Sequence, residues 1–424
     1  MKNICHKIKQ YLPLWSIVIF SSLLSVTAQT TDSLKKTIPV SVVKKNSEGT
    51  EFWLCFTRNY MNERRDGIGN SNQLINLELF ITANTTSKVT VEIDGIGYKK
   101  QVKVEGGTVT NLAVDPSAQV MGEEVIQRLG VHITSDNPIS VYGLSRRWQT
   151  TDTYLGLPVS VLGTEYRAIC YSFSEGMMSQ FSVVATEDST KVTIIPTVKT
   201  RKHPADKPYT VNLKRGDVFP VGAEVEGGGT GDLTGTLIRS NKKIAVFSGH
   251  QCAYVPRGLI GCNHLVEQLP PINAWGKHYY AGKLERRSRS TIRVVASQPQ
   301  TKVFENSNLV SVLDAGQFYE NSNVRQNLQV TADKPILLAQ YSQGFTNGDD
   351  VGDPMMLLVS PTQQFLKQYR FATPINGEWK HYVNIVIPSR AIPTLRLNNR
   401  KLDTSQFQRM GLSRYSIAQV QVPV

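Results

Sequence analysis

An all-β protein of tandem modules is the fold class this sequence predicts, and three observations carry the prediction. Apolar and polar residues alternate at period two across short segments bounded by turn residues. Windows with a 3.6-residue apolar period are scarce, so helices are expected to be few and short. The same order of features also recurs three times at a spacing of about 100 residues, which is the mark of a repeat architecture. Units of that length fit β-sandwich or jelly-roll-like modules. A propeller-like or other closed β-repeat arrangement is the alternative.

Taken in chain order, residues 1–28 have the layout of a signal peptide. Lys2, Lys7 and Lys9 precede an apolar run from Leu12 to Leu24, and Val26-Thr27-Ala28 supplies small residues for cleavage before Gln29. The run is shorter than the roughly 20 residues a membrane-spanning helix needs, and no later stretch is apolar enough to cross. Residues 29–46 are polar and Lys-containing and read as a flexible lead-in. From Gly49 the pattern is β. Val89, Val91 and Ile93 alternate with Thr90, Glu92 and Asp94, and an Asp94-Gly95 turn leads back through Val102 and Val104, a hairpin signature.

The repeats run at about 76–170, 178–281 and 290–371, with an incomplete fourth at 381–424. Leu79–Ala83, Phe181–Ala185 and Ile292–Ala296 each precede a Lys-Val strand, at Lys88-Val89, Lys191-Val192 and Lys302-Val303. Each unit then reaches a second signature, centred on Asp136-Asn137-Pro138-Ile139, Asn241-Lys242-Lys243-Ile244 and Asp333-Lys334-Pro335-Ile336, whose middle reads as a turn begun by Asp or Asn. A long loop follows, ending in Leu157-Pro158, Leu269-Pro270 or Ser360-Pro361, and Tyr166, Tyr279 and Tyr369 close the units. The fourth copy starts at Tyr382 with Thr394–Leu397 in the Lys-Val position and stops before its turn signature. It is expected to be a truncated copy, with a cap as the alternative.

Composition bounds the function. The 424 residues are 40% hydrophobic and 19% charged, with mean hydropathy −0.23, a globular composition. The net charge of +13 suggests polyanions, but without the three leader lysines it is +10. An exported chain of that charge is expected to meet glycans or proteins rather than nucleic acid.

Four cysteines remain: Cys55, Cys170, Cys252 and Cys262. His250-Gln251-Cys252 and Cys262-Asn263-His264 hold two thiols and two imidazoles, a chemically acceptable zinc set whose one-residue spacers strain simultaneous ligation. A Cys252–Cys262 disulfide closing a loop with Gly and Pro is the simpler reading in an oxidising compartment, and free thiols complete the alternatives. Cys55 and Cys170 read equally as buried small residues or as a pair.

Arg215-Gly216-Asp217 resembles an adhesion tripeptide, but the equivalent turns Gly106-Gly107-Thr108 and Ala315-Gly316-Gln317 explain its glycine. Gly227–Gly231 lacks the Gly-Lys-Ser/Thr and helix of a phosphate loop. Asp349, Asp350 and Asp353 lack the ligand order of a calcium loop. Ser248-Gly249-His250 is the nearest approach to a nucleophile and base, without a Gly-x-Ser-x-Gly elbow. The expectation is therefore no enzyme, cofactor or metal, with a hydrolase as a remote alternative. If a surface contacts a ligand, Arg146, Arg147 and Trp148, and Arg286, Arg287 and Arg289, are the first candidates.

Gly49-Thr50-Glu51-Phe52-Trp53-Leu54-Cys55-Phe56, Asp136–Gly143, Tyr154–Pro158 leading to Leu162–Tyr166, and Cys262–Pro271 with Trp275-Gly276-Lys277 resemble the N-terminal domain of the IgG-Fc-binding protein family, over about residues 49–424. The resemblance implies an exported member of the bacterial type, secreted or at the cell surface, that binds or adheres without catalysis. Its partner would be an extracellular protein or glycoconjugate, such as a host or mucus component. It assigns no Fc-contact residue here. A structural subunit of a surface or secretion assembly is the alternative function.

Overall fold

Period-two burial, clearest along Ser87–Ile93 and Thr150–Leu155, builds the first sheet. Its seven antiparallel strands are β1 (Gly49–Leu54), β2 (Asn76–Ala83), β3 (Ser87–Ile93), β4 (Tyr98–Val104), β5 (Val109–Val114), β6 (Val131–Arg147) and β7 (Thr150–Leu155). They run in the order β4-β3-β6-β2-β5, with β1 and β7 also paired to β6. The second sheet repeats this with β8 (Gly163–Arg167), β9 (Ser179–Ala185), β10 (Thr190–Ile195), β11 (Tyr209–Leu213), β12 (Val218–Gly222), β13 (Leu237–Tyr254) and β14 (Cys262–Gln268). The third repeats it with β15 (Gly276–Ala281), β16 (Ser290–Ala296), β17 (Thr301–Glu305), β18 (Asn308–Leu313), β19 (Phe318–Val324), β20 (Leu328–Tyr341) and β21 (Met356–Leu358). The last region holds β22 (His381–Pro388), β23 (Arg396–Leu397), β24 (Arg400–Lys401), β25 (Gln408–Arg409) and β26 (Tyr415–Val422), with β26 between β22 and β25 and a separate β23–β24 hairpin. This computed structural model describes residues 47–60, 75–147, 149–172, 176–225, 231–373 and 380–422.

The chain is thus all-β, with three similar sheets curled into half-barrels, one per repeat. Among the described residues no helix is long and apolar enough to cross a membrane. Each half-barrel encloses its own apolar core. Phe52, Leu79, Ile81, Val89, Ile133 and Val141 belong to the first, Phe181, Val192, Ile238 and Val246 to the second, and Ile292, Val303, Val330 and Leu338 to the third.

The expected turn inside the second signature is a strand corner. Residues 131–147 form one continuous strand whose first half pairs with β1 and β3 and whose second half pairs with β2 and β7. The reason is a side-chain bond that joins the two sequence signatures. The Asp136 carboxylate accepts the Lys88 N–H at 2.8 Å, Asn241 accepts that of Lys191 at 2.7 Å, and Asp333 accepts that of Lys302 at 2.8 Å. The Asx residue satisfies a neighbouring strand where the ladder breaks, so the chain bends without reversing.

The tyrosine strands also sit differently from the sequence units. β8 and β15, which carry Tyr166 and Tyr279, pair with β13 and β20, so they open the next sheet. Tyr166 Oη accepts the Gly163 N–H and donates to the Ile244 carbonyl, and Tyr279 bonds Gly276 and Ile336 likewise. The Gly that starts each of these strands lies under a proline. A Cβ on Gly49, Gly163 or Gly276 would fall 2.3, 2.6 or 2.3 Å from the Cβ of Pro158, Pro271 or Pro361.

Consecutive sheets are strapped together. After β5 the chain runs along the edge of β12, with Gln127 and Val218 exchanging N–H···O bonds of 2.9 and 2.7 Å and Gly130 N–H reaching the Gly216 carbonyl at 3.0 Å. Between the second and third sheets Gly235 and Gly316 pack closely without such a bond, a Cβ on Gly235 falling 2.0 Å from the Gly316 carbonyl oxygen.

Candidate binding face

Three equivalent connections follow the long strands β6, β13 and β20, and side chains from β7 and β14 gather them at one place. Asn263 accepts the Thr151 N–H at 2.7 Å and donates to the carbonyls of Thr151 and Pro354 at 2.9 and 2.8 Å. The Asp152 carboxyl accepts the Val266 N–H at 3.1 Å, and the Glu267 carboxyl that of Leu358 at 3.3 Å. The hairpin between β6 and β7, the loop between β13 and β14, and the segment between β20 and β21 are therefore neighbours.

The middle loop is closed by a Cys252–Cys262 disulfide with an S–S distance of 2.06 Å. It docks on the third connection through Gly344 N–H to the Val255 carbonyl, 2.9 Å, and Ile260 N–H to Thr346 Oγ1, 2.7 Å. The outer side of this junction exposes Ile260 (62%) and Phe345 (40%), with the exposed Arg257 on the same loop as Ile260.

The arginines named from the sequence border these loops. Arg146 pairs with Glu78 at 3.4 Å, and Arg147 donates to the Tyr60 carbonyl at 2.7 Å. Trp148 lies outside the described residues. Arg287 donates to the Val351 carbonyl, and Arg289 donates to that of Asn347 at 2.6 Å. Asp349 accepts the Ser288 N–H at 3.0 Å and pairs with Asn347 Nδ2 at 3.0 Å. These residues brace the loop that presents Phe345, while Arg286 is exposed beside them.

Behind the loops the two imidazoles are buried. The Cys252 N–H donates to His250 Nδ1 at 3.0 Å, and the His264 ring sits 3.1 Å from the His250 carbonyl and 3.4 Å from Thr57 Oγ1. Burial holds His250 down to about 3 and His264 down to about 4. The disulfide consumes both thiolates of the zinc alternative, and no other cluster of three or more metal-ligating side chains stands among the described residues.

Ser248 Oγ bonds the Ile169 backbone and lies 3.0 Å from Cys170 Sγ, a structural use of the hydroxyl. Cys55 and Cys170 are separate buried thiols, and burial pushes both upward. In the Arg-Gly-Asp turn, Asp217 is buried and accepts the Lys214 N–H at 2.8 Å, and Arg215 lies over the Trp53 ring. The tripeptide is a junction between the first two sheets.

Two charged constellations escaped sequence reasoning. Asp152 and Glu267 face each other across the loop junction. Burial pushes Asp152 up to about 8, against three backbone N–H donors, and burial reinforced by Asp152 carries Glu267 well above the usual carboxylate range. Arg293 is 3% exposed and bonds Asp232 at 2.7 Å, Glu320 at 2.6 Å and the Cys170 carbonyl at 2.8 Å, with Tyr171 and Phe318 rings against its guanidinium. A charged residue in an otherwise apolar strand, Thr291-Ile292-Arg293-Val294-Val295, was the available signal for the second.

Residues 152–424 match the family model described as IgGFc binding protein. The human IgGFc-binding protein (Homo sapiens) is 27% identical over 339 residues, which cover 78% of this chain and 6% of that protein. Among solved structures, an anti-sigma factor domain-containing protein matches 75% of this chain and 84% of its own at 9% identity and a TM-score of 0.13. The native alfa-L-rhamnosidase of Aspergillus terreus matches 68% and 47% at 9% identity and 0.12. Neither likeness bears on fold or function. The family match spans more than half of the sequence and includes the disulfide loop, the buried carboxyl pair and the whole third sheet: this chain belongs to the IgGFc-binding protein family.

Proposed function

We propose that the protein works outside the cell as a non-enzymatic protein-binding module, and that the three gathered loops are its binding face. The observation that carries this reading is the exposure of Ile260 and Phe345 on braced loops beside Arg257 and Arg286. Apolar and arginine side chains held rigidly at a surface are the composition of a protein-recognition patch, and bracing lowers the ordering cost of binding. Membership in a family named for binding IgG Fc supports a protein partner. In this reading Arg146 borders the patch on one side and the exposed Arg286 on the other, while Arg147, buried against Tyr60, and Arg287 and Arg289, bonded to Val351 and Asn347, brace it. Residues 1–28 serve as the export signal, so the mature chain begins at Gln29; N-terminal mass analysis of protein exported by a bacterial host checks this directly.

The test is a panel of immobilised immunoglobulin Fc, mucus glycoproteins and glycans probed with the wild-type protein and with Ile260→Asp and Arg286→Glu. A captured protein partner should lose at least about tenfold in affinity with either variant, the usual effect of removing an interface anchor. Retention of a partner that is indifferent to both substitutions would move the binding face elsewhere. Failure to retain any ligand, with stable co-purification in an envelope complex, would replace the reading by a structural role.

A further inference from the structure

Basic residues occur in every unit, but their partners differ. In the first two units Lys99 pairs with Glu92 at 2.6 Å, Lys103 with Glu105 at 2.7 Å, Lys199 with Glu224 at 2.7 Å and Arg239 with Glu165 at 3.0 Å. Residues 381–424 carry Arg390, Arg396, Arg400, Lys401, Arg409 and Arg414 against one acid, Asp403. All six are exposed, and none makes an ion pair among the described residues. The hairpin of β25 and β26 brings two of them to one face. Arg409 stands opposite Ser416, and Arg414, two residues before Ser416, shares its side of the strand, while Met410 and Tyr415 are buried on the other. Arg409 Nε donates to the Ser413 carbonyl at 3.2 Å, at the peptide that precedes Arg414. Ser389 N–H bonds the Arg414 carbonyl at 2.9 Å, and Ser389 Oγ lies 2.8 Å from Ser416 Oγ, so the end of β22 brings a hydroxyl to this face with Arg390 next in the chain.

This corner has counterparts in the second and third sheets, where Ala185 N–H bonds the Asp217 carbonyl and Ala296 N–H that of Gln317. There the turn meets the unit before it. Arg215 lies over the Trp53 ring and the Gly216 carbonyl accepts the Gly130 N–H, while Gly316 packs on Gly235 and beneath the Arg167 guanidinium. Gly130 and Gly235 belong to the long connections that join β5 to β6 and β12 to β13. In the third unit only residues 325–327 join β19 to β20, and they reach as far as Gln408, which accepts from Asn327 Nδ2 at 3.0 Å. The turn between β25 and β26 is therefore left uncovered by its preceding unit, and Leu412 at its tip is exposed between the two arginines.

We propose that this corner binds the sulfate groups of a sulfated polysaccharide, with Arg409 and Arg414 as anchors and Arg390 beside them. A guanidinium fork takes two oxygens of a tetrahedral anion at once, which an ammonium does not, and five of the six cations in this region are arginines. Because none is held by a carboxylate, a sulfate displaces only water and mobile counterions. Arg396, Arg400 and Lys401 on β23 and β24 offer a long polyanion further contacts within the same unit. The choice of a glycan rests on the extracellular reading above, but the site is separate from the loop face.

The probe is a heparin dodecasaccharide titrated calorimetrically into the 424-residue protein over a range of salt concentrations. Saturable binding that weakens steeply with salt is expected. Arg409→Glu with Arg414→Glu should lower the affinity at least about tenfold, and Arg409→Gln with Arg414→Gln should lower the slope of log affinity against log salt by about two. The milder pair also serves if the first fails to fold. Lys103→Glu in the first sheet and Ile260→Asp on the loop face should leave both quantities unchanged. No binding at low salt, or a loss in the arginine variants no larger than that of Lys103→Glu, would overturn the proposal. So would a single-stranded DNA of equal charge held as tightly, since that is attraction without selection for sulfate. Loss of heparin with Ile260→Asp alone would move the glycan to the loop face and remove it from this corner.

Discussion

Arg293 is the residue on which the junction of the second and third sheets turns. A buried guanidinium is tolerable only while its partners remain, since an unpaired buried charge costs far more than the pair contributes. Arg293→Ala should therefore destabilise the protein by about 3–5 kcal/mol, measured by denaturant unfolding. Asp232→Asn combined with Arg293→Met should lose less than the sum of the single changes. Asp152 makes a pH-dependent contribution. Its folded-state carboxyl is held near 8, so between about pH 4 and 8 the folded chain keeps a proton that the unfolded chain releases, and stability falls as pH rises through that window. The imidazoles act in the opposite sense and at lower pH. His250 and His264 are held neutral, so stability falls as pH drops below about 6.5 towards 3. Asp152→Asn should lessen the decline in melting temperature between pH 5 and 8, the buried Glu267 carboxyl keeping the rest of it, and leave the acid limb in place. From sequence the cysteine pair was legible, because an oxidising compartment and a short spacing leave few options. Nothing local in the sequence marks Asp152, because its burial depends on β14 and β21, which are distant in the chain.

At the scale of elements, the close approach of Gly163 to Pro271 fixes where each sheet begins. Gly163→Ala places a methyl 2.6 Å from the proline Cβ, and the closed pyrrolidine ring is not a flexible side-chain end that can move aside. The expected loss is about 1–3 kcal/mol in chemical denaturation. Gly107→Ala meets no atom within 4 Å and pays only for its φ of +82°, about 1 kcal/mol. Strands and hairpins were readable because alternation is local. The bend in the long strands was misread as a turn because Asp-Asn-Pro carries the same composition in both settings. What separates them is the Lys88 N–H that Asp136 accepts, a partner 48 residues away.

At the scale of the molecule, the repeat was visible in the sequence but its phase was not. Similarity between copies shows the period, while the pairing of β8 with β13 and β15 with β20 decides where one sheet stops. The identical Gly-Thr-Glu at 49 and 163, followed by Phe52 and Tyr166, was the clue to that phase. The loops of the proposed face were legible as the connection that follows the second signature in each copy. Their assembly was not, because Asn263 gathers connections from three repeats. The disulfide belongs to this scale too. Cys252→Ser with Cys262→Ser removes a constraint on a short loop, and an unfolding free energy lower by about 2–3 kcal/mol is expected, with reductant affecting only the wild type.

The strap of Gln127 on Val218 and Gly130 on Gly216 also has a mechanical consequence. Load must pass along the edge where the first repeat is hydrogen-bonded to the second, so the first unit cannot be drawn out without shearing that strap. Under steady pulling the first two sheets should yield together, and loosening the Gly130–Gly216 contact should turn that event into separate, weaker ruptures.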